Sequence, residues 1–148
     1  MNRNDIKKRE ISNRIKIDRD KCISCLGCMS ACIVAHDGHS PRNRVVISTN
    51  KKSSPIFCRH CDLPECTYTC MSGALSIDKE TGFVLYNSEQ CGSCFMCVMA
   101  CPYGVLRPDR LDKKVSKCDM CIEAEEKTPQ CVAKCPMGAI TLEKEAVL

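Results

Sequence analysis

CGSCFMCVMACP, residues Cys91 to Pro102, sets four cysteines two, two and three residues apart and closes the run with a proline. Three thiolates this close together curl around one corner of an iron–sulfur cubane, while the fourth, carried onward by a short helix, reaches a second cluster. Zinc sites draw one cysteine pair from each of two separated segments, so a run of three followed by a fourth selects iron and sulfide.

The unit recurs. Cys22, Cys25, Cys28 and Cys32 repeat the two-two-three spacing; Cys58, Cys61, Cys66 and Cys70 widen the middle gap to four; Cys118, Cys121, Cys131 and Cys135 widen it to nine. Four copies therefore account for all sixteen cysteines. After the last cysteine of groups two, three and four come MSGALSI, PYGVLRP and PMGAITL, each with a glycine three places on and an apolar run behind it. The glycine permits a sharp turn beside a cluster, and the run reads as a short strand. Thr81 and Gly82 turn the chain so that Phe83, Val84 and Leu85 return as a partner strand, which makes groups two and three one two-cluster unit.

The outer groups are then left to each other. Ile15 to Ile17 alternates like a strand and is expected to pair with Ile140 to Leu142; a further strand is expected at Val45 to Ile47. Pairing in chain order, group one with two and three with four, is the alternative. With the fourth cysteine of each group crossing to its partner's cluster, the nested arrangement expects four ligand sets. These are Cys58, Cys61 and Cys66 with Cys101; Cys91, Cys94 and Cys97 with Cys70; Cys22, Cys25 and Cys28 with Cys135; and Cys118, Cys121 and Cys131 with Cys32. The expected organisation is a polar tail at 1–14 and one four-cluster domain at 15–148. Its outer part covers about 15–50 and 106–148, and its inner part about 51–105.

Composition agrees with metal chemistry. In 148 residues there are three Tyr, three Phe and no Trp, so an ordinary core would be thin and inorganic centres must act as internal staples. The opening MNRNDIKKREISNR carries no apolar stretch and no paired arginines, and nothing later is long enough to span a membrane, which points to the cytoplasm. Thiols stay reduced there, so disulfides are excluded. The formal charge of +4 counts cysteine as neutral; four cubanes of about −2 each bring the folded protein to about −4. Nucleic-acid binding is accordingly not expected, although Lys7, Lys8 and Arg9 form a local positive patch.

CRHCDLPEC at Cys58 to Cys66, CVMACPYGV at Cys97 to Val105 and KCDMC at Lys117 to Cys121 resemble a known family. It is the polyferredoxin subunits that carry four [4Fe–4S] clusters in formate dehydrogenases, hydrogenases and dimethyl-sulfoxide reductases. The resemblance runs from about Ile15 to Leu142, with Met71 standing where members often have proline. The compact length and the AHDGHSPRNRVVI link resemble most the soluble members that accompany carbon monoxide dehydrogenase. The resemblance implies an α+β fold of two ferredoxin-like modules, the inner inserted in the outer, with short helices and β-hairpins. It also implies a non-catalytic electron wire between a catalytic subunit, carbon monoxide dehydrogenase in the first instance, and a second partner such as a flavoprotein or hydrogenase. A hydrogenase, formate dehydrogenase or aldehyde oxidoreductase is the alternative catalytic partner, and a zinc-binding interaction module is the alternative of a different class.

Other side chains read as support. The cysteines satisfy four clusters, so His36, His39 and His60 are not expected as ligands; His60, beside Cys61, reads as a donor that tunes a potential, and Arg59 and Lys117 as charges that do the same. Phe57, Phe95, Tyr68 and Tyr103 are expected to keep water from the clusters, and the EAEEK run from Glu123 to Lys127 to be a solvated loop. No phosphate-binding glycine loop, partnered nucleophile or paired-acid constellation is present.

Overall fold

The computed structural model describes residues 14–124 and 128–143; the expected tail, Arg14 apart, and part of the EAEEK run lie outside them. Along the chain come β1 (Arg14–Ile17), α1 (Gly27–Ala35), β2 (Arg44–Ile47), β3 (Ser53–Ile56), α2 (Glu65–Tyr68) and β4 (Leu75–Ile77). They are followed by β5 (Val84–Tyr86), α3 (Met96–Ala100), β6 (Arg107–Pro108), β7 (Val115–Ser116), α4 (Gln130–Ala133) and β8 (Ile140–Glu143). The strands form four separate antiparallel pairs, β1–β8, β2–β3, β4–β5 and β6–β7.

The pair β1–β8 joins the two ends of the described chain, with Ile15 opposite Leu142 and Ile17 opposite Ile140. Alternation puts Ile15 and Ile17 on one face, where both pack on the buried group of Cys28, Phe57, Cys131 and Ile140. A second buried group holds Leu75, Val84, Cys97, Leu106 and Val115. Helix α1 packs against α4, and α2 against α3.

Three of the helices have only four or five residues, too short to hold without outside support. Each places the third cysteine of its group in or next to its first turn, and the fourth follows one turn on. Cys28 and Cys32 stand four residues apart on α1 and so share a helix face, while Cys70, Cys101 and Cys135, at the same interval from Cys66, Cys97 and Cys131, lie just past the ends of their helices. The helices start in two ways. Those of groups one and three begin after a left-handed residue, Leu26 or Phe95, and those of groups two and four begin after a proline, Pro64 or Pro129. Pro102 ends α3 by forcing Cys101 out of the helical region, to φ −68° and ψ 114°.

Several features differ from the reading of the sequence. The strand expected at Phe83 to Leu85 lies one residue on, at Val84–Tyr86, with Phe83 accepting a hydrogen bond from Asp78 N at 2.8 Å as pairing ends. Strand β3 reads SSPI, polar and proline-bearing, and so carries no strand signal, yet it pairs along its length with β2. That hairpin straddles residue 50, where the outer part was expected to give way to the inner. Phe57 packs with the outer residues Cys28 and Ile140, while Leu106 and Val115 pack with the inner Leu75 and Val84. Only Arg107 and Pro108 of the run after Gly104 are extended, since Val105 and Leu106 are taken into the interior.

Ile140, 4% exposed, joins the β1–β8 pair to the thiols of groups one and four. Ile140→Ala is expected to cost about 2–5 kcal/mol, read as a lower temperature of iron release and of unfolding.

Candidate metal centres

One backbone feature is common to all four cysteine groups. The residue before the second cysteine is left-handed each time: Ser24 at φ 59°, His60 at 44°, Ser93 at 57° and Met120 at 60°. None of the four is a glycine, and a non-glycine residue in this region costs about 1–2 kcal/mol. The turn aims peptide N–H groups inward, so that Ser93 N donates to Cys91 Sγ and Met120 N to Cys118 Sγ, each at 3.4 Å. A second turn follows the last cysteine of groups two, three and four, at Gly73, Gly104 and Gly138, all with positive φ. At Cys70 and Cys135 burial raises the thiol pKa, but N–H groups of that turn, joined at Cys70 by the Ser72 hydroxyl, outweigh it and bring both below the ordinary value.

All sixteen thiols are free. Cys22, Cys25, Cys28 and Cys135 line one small apolar hollow, and Cys70, Cys91, Cys94 and Cys97 line another. Burial pushes Cys28 up to about 11, and the thiolates of Cys25 and Cys22 add to it. Cys97 is likewise pushed up to about 11 by burial, with Cys66, Cys70 and Cys91 beside it. Cys61 and Cys66 are raised by burial, and each also feels Cys58 and Cys101. Cys131 rises to about 12 through burial, then through Cys121, Cys32 and Cys28. Cys118 is driven up furthest, by burial first and by Cys58 next. Three of these couplings cross between the expected sets: Cys28 with Cys131, Cys58 with Cys118, and Cys66 with Cys97.

Thiols this crowded repel one another once ionised, and a cationic inorganic core is the partner that relieves them. All-sulfur donor sets, left-handed turns around each second cysteine and N–H groups aimed at sulfur fit a [4Fe–4S] cubane. When bound, such a group takes up and gives back one electron at a time. The largest cleft, about 1090 Å³, contains none of the thiols.

His60 is buried; its Nδ1 accepts a hydrogen bond from Val84 N at 3.0 Å, and its ring leans on Phe83. Burial, then the Lys117 charge, holds it neutral, so the proton sits on Nε2, which is buried and meets no acceptor in the protein. A donor left over beside Cys61 fits a sulfur acceptor on a cluster.

His36 is engaged at both ring nitrogens. Nδ1 donates to the Cys32 carbonyl at 2.9 Å, and Nε2 meets Asp119 Oδ1 at 2.9 Å. Its pKa rises to about 12, through Asp119 first and the sulfurs of Cys121 and Cys32 next. Arg42 completes the group, Nη1 on Asp119 Oδ2 at 3.0 Å and backbone N on Cys32 Sγ at 3.2 Å. No signal in the sequence joins His36 to a residue 83 positions away.

Tyr86 is a further residue the spacing did not single out. Its hydroxyl accepts from Val115 N at 3.2 Å, and burial, with the hydrogen bond to Cys91, pushes its pKa up to about 12. Of the expected aromatic shields, Phe57 is buried and Phe95 packs on the second buried group, whereas Tyr68 is 53% exposed. Tyr103 is also exposed, its ring 4.1 Å below the Arg59 guanidinium.

Residues 49–145 match the family described as the 4Fe-4S dicluster domain. The chain belongs to that family. Among its relatives is the electron transport protein HydN of Escherichia coli (strain K12), 36% identical, with 83% of each chain covered. The NADH-dependent phenylglyoxylate dehydrogenase subunit beta of Aromatoleum evansii is 33% identical over 85% of this chain and 29% of its own. One subunit of the anaerobic dimethyl sulfoxide reductase of Escherichia coli (strain K12) is 42% identical over 57% of this chain and 42% of its own. Among the described residues, no helix is long and apolar enough to cross a membrane.

The His36–Asp119 pair predicts a pH dependence. His36 is raised from 6.5, so its contribution is whole below that pH and fades as pH climbs toward about 12. Asp119 is depressed below 3.8: burial alone would raise it, but His36 and Arg42 outweigh that, so its share persists above 3.8 and fades in acid. The stability difference between the parent and Asp119→Asn, read as the temperature of iron release, is expected to be larger at about pH 6 than at about pH 9.

Proposed function

We propose that the chain relays single electrons through four [4Fe–4S] clusters, between a catalytic oxidoreductase subunit and a second redox partner, and catalyses no reaction of its own. The observation that carries this reading is the left-handed residue before the second cysteine of every group, four times over without a glycine. The ligand sets are those of the nested pairing: Cys22, Cys25, Cys28 with Cys135; Cys118, Cys121, Cys131 with Cys32; Cys58, Cys61, Cys66 with Cys101; Cys91, Cys94, Cys97 with Cys70. The β1–β8 pair and the packing of α1 on α4 and α2 on α3 support it over pairing in chain order.

The couplings between sets support a path that begins at the Cys22 set, passes the Cys118 and Cys58 sets and ends at the Cys91 set. Cys25 and Cys94 are the exposed thiols, one at each end of that path, which makes those loops the points where electrons arrive and leave. The protein works in the cytoplasm. For the catalytic partner the family resemblance favours carbon monoxide dehydrogenase, with a flavoprotein or hydrogenase as the second. The names of the relatives, an electron transport protein and subunits of a dehydrogenase and a reductase, support the wider class of oxidoreductase partners.

Anaerobically purified protein is expected to be brown and to hold about 16 iron and 16 sulfide per chain. Colourless material rich in zinc would overturn the reading in favour of a zinc module. Cys101→Ala is expected to remove or convert the cluster of Cys58, Cys61 and Cys66, seen as lower iron content and a changed spectrum of the reduced protein. Unchanged iron and spectrum would reject the crossed ligand set. Co-purification from the native host identifies the partners.

A further inference from the structure

Lys117 is 3% exposed, among the most buried charged side chains described. Its Nζ donates to Cys58 Sγ at 3.4 Å and to the carbonyl of its neighbour Cys118 at 2.9 Å. Those cysteines open groups two and four, and Lys117 stands 59 residues from the first of them, so one ammonium spans two different ligand sets. At the same junction Cys58 adds to the effect of burial on Cys118, and the Lys117 charge opposes it at Cys118 and at Cys66. The neighbouring His60 is neutral and contributes no charge.

A buried ammonium is costly unless negative charge stands close by. Its acceptors are one cysteine sulfur and one carbonyl, neither of which is a carboxylate. Two thiolate-bound clusters on either side, each of about −2 and each becoming more negative by one electron on reduction, supply that charge. We propose that Lys117 is a positioning residue shared by the two middle clusters, whose fixed charge raises the reduction potential of both and so sets them above the two end clusters. This rests on the reading of four cubanes.

The test is a potentiometric titration of the whole protein, followed by electron paramagnetic resonance, for the parent, Lys117→Met and Lys117→Arg. Lys117→Met is expected to shift two of the four one-electron equilibria toward the oxidised form by about tenfold, equivalent to about 59 mV for one electron. The other two equilibria should move less than about twofold, and Lys117→Arg should restore the parent values in large part. Equal shifts at all four clusters, no shift at any, or an arginine variant that behaves like the methionine one would overturn the proposal. A second measurement needs no variant: parent protein labelled with ¹⁵N-lysine is expected to show a nitrogen coupling to a reduced cluster in pulsed resonance, and absence of that coupling also rejects it. Parent protein without iron would instead defeat the electron-relay reading itself, which the iron and sulfide analysis detects beforehand.

Discussion

Four sulfurs gathered in a protein interior are an electrostatic liability until a cationic core lies between them, and the rest of this fold is arranged around that liability. Burial and mutual repulsion push Cys28, Cys97 and Cys131 to about 11 to 12. A thiol so reluctant to ionise gains most from an iron that replaces its proton. The backbone turns Ser24, His60, Ser93 and Met120 into the left-handed region, and at Ser93 and Met120 the N–H group points at a cysteine sulfur. That conformation is unfavourable for each of them, and ligation is the interaction that offsets it.

Ligation also explains how so little secondary structure makes a stable protein. The sheets are four isolated pairs of two to four residues per strand, and three helices make about one turn each. Neither kind of element is stable alone at that length. The two buried groups are correspondingly small, and cysteines are themselves members of both. In so small a scaffold, iron–sulfur centres do the work that a larger apolar core performs elsewhere.

Charge and apolar surface are distributed unevenly along the row of thiol sets. Around the middle sets stand Lys117, the neutral His60 and the ion group of His36, Asp119 and Arg42. Exposed apolar side chains lie beside the end sets, Ile23 and Leu26 at one and Met96 and Met99 on α3 at the other, and beside the Cys58 set at Leu63. Fixed charge in a dry interior shifts redox equilibria, while exposed apolar rims suit contact with another protein. The relay reading assigns those two tasks to the middle and to the ends.

The division of the sixteen cysteines into four groups was legible in their spacing. The β1–β8 pairing was legible as well, since Ile15, Ile17, Ile140 and Leu142 must share one buried face. The sequence alone therefore determined the grouping of the thiols, the glycine turns that follow them and the return of the chain's end to its beginning. Tertiary structure alone decided the left-handed residues, because serine, histidine and methionine carry no local preference for that conformation. It also decided that SSPI pairs as a strand, that Phe57 and Leu106 cross into the other half's interior, and that His36 meets Asp119. The contacts of Phe57, Leu106 and His36 join residues distant in the chain and leave no periodic trace in either segment, while the pairing of SSPI with nearby Arg44–Ile47 is masked by its polar and proline residues.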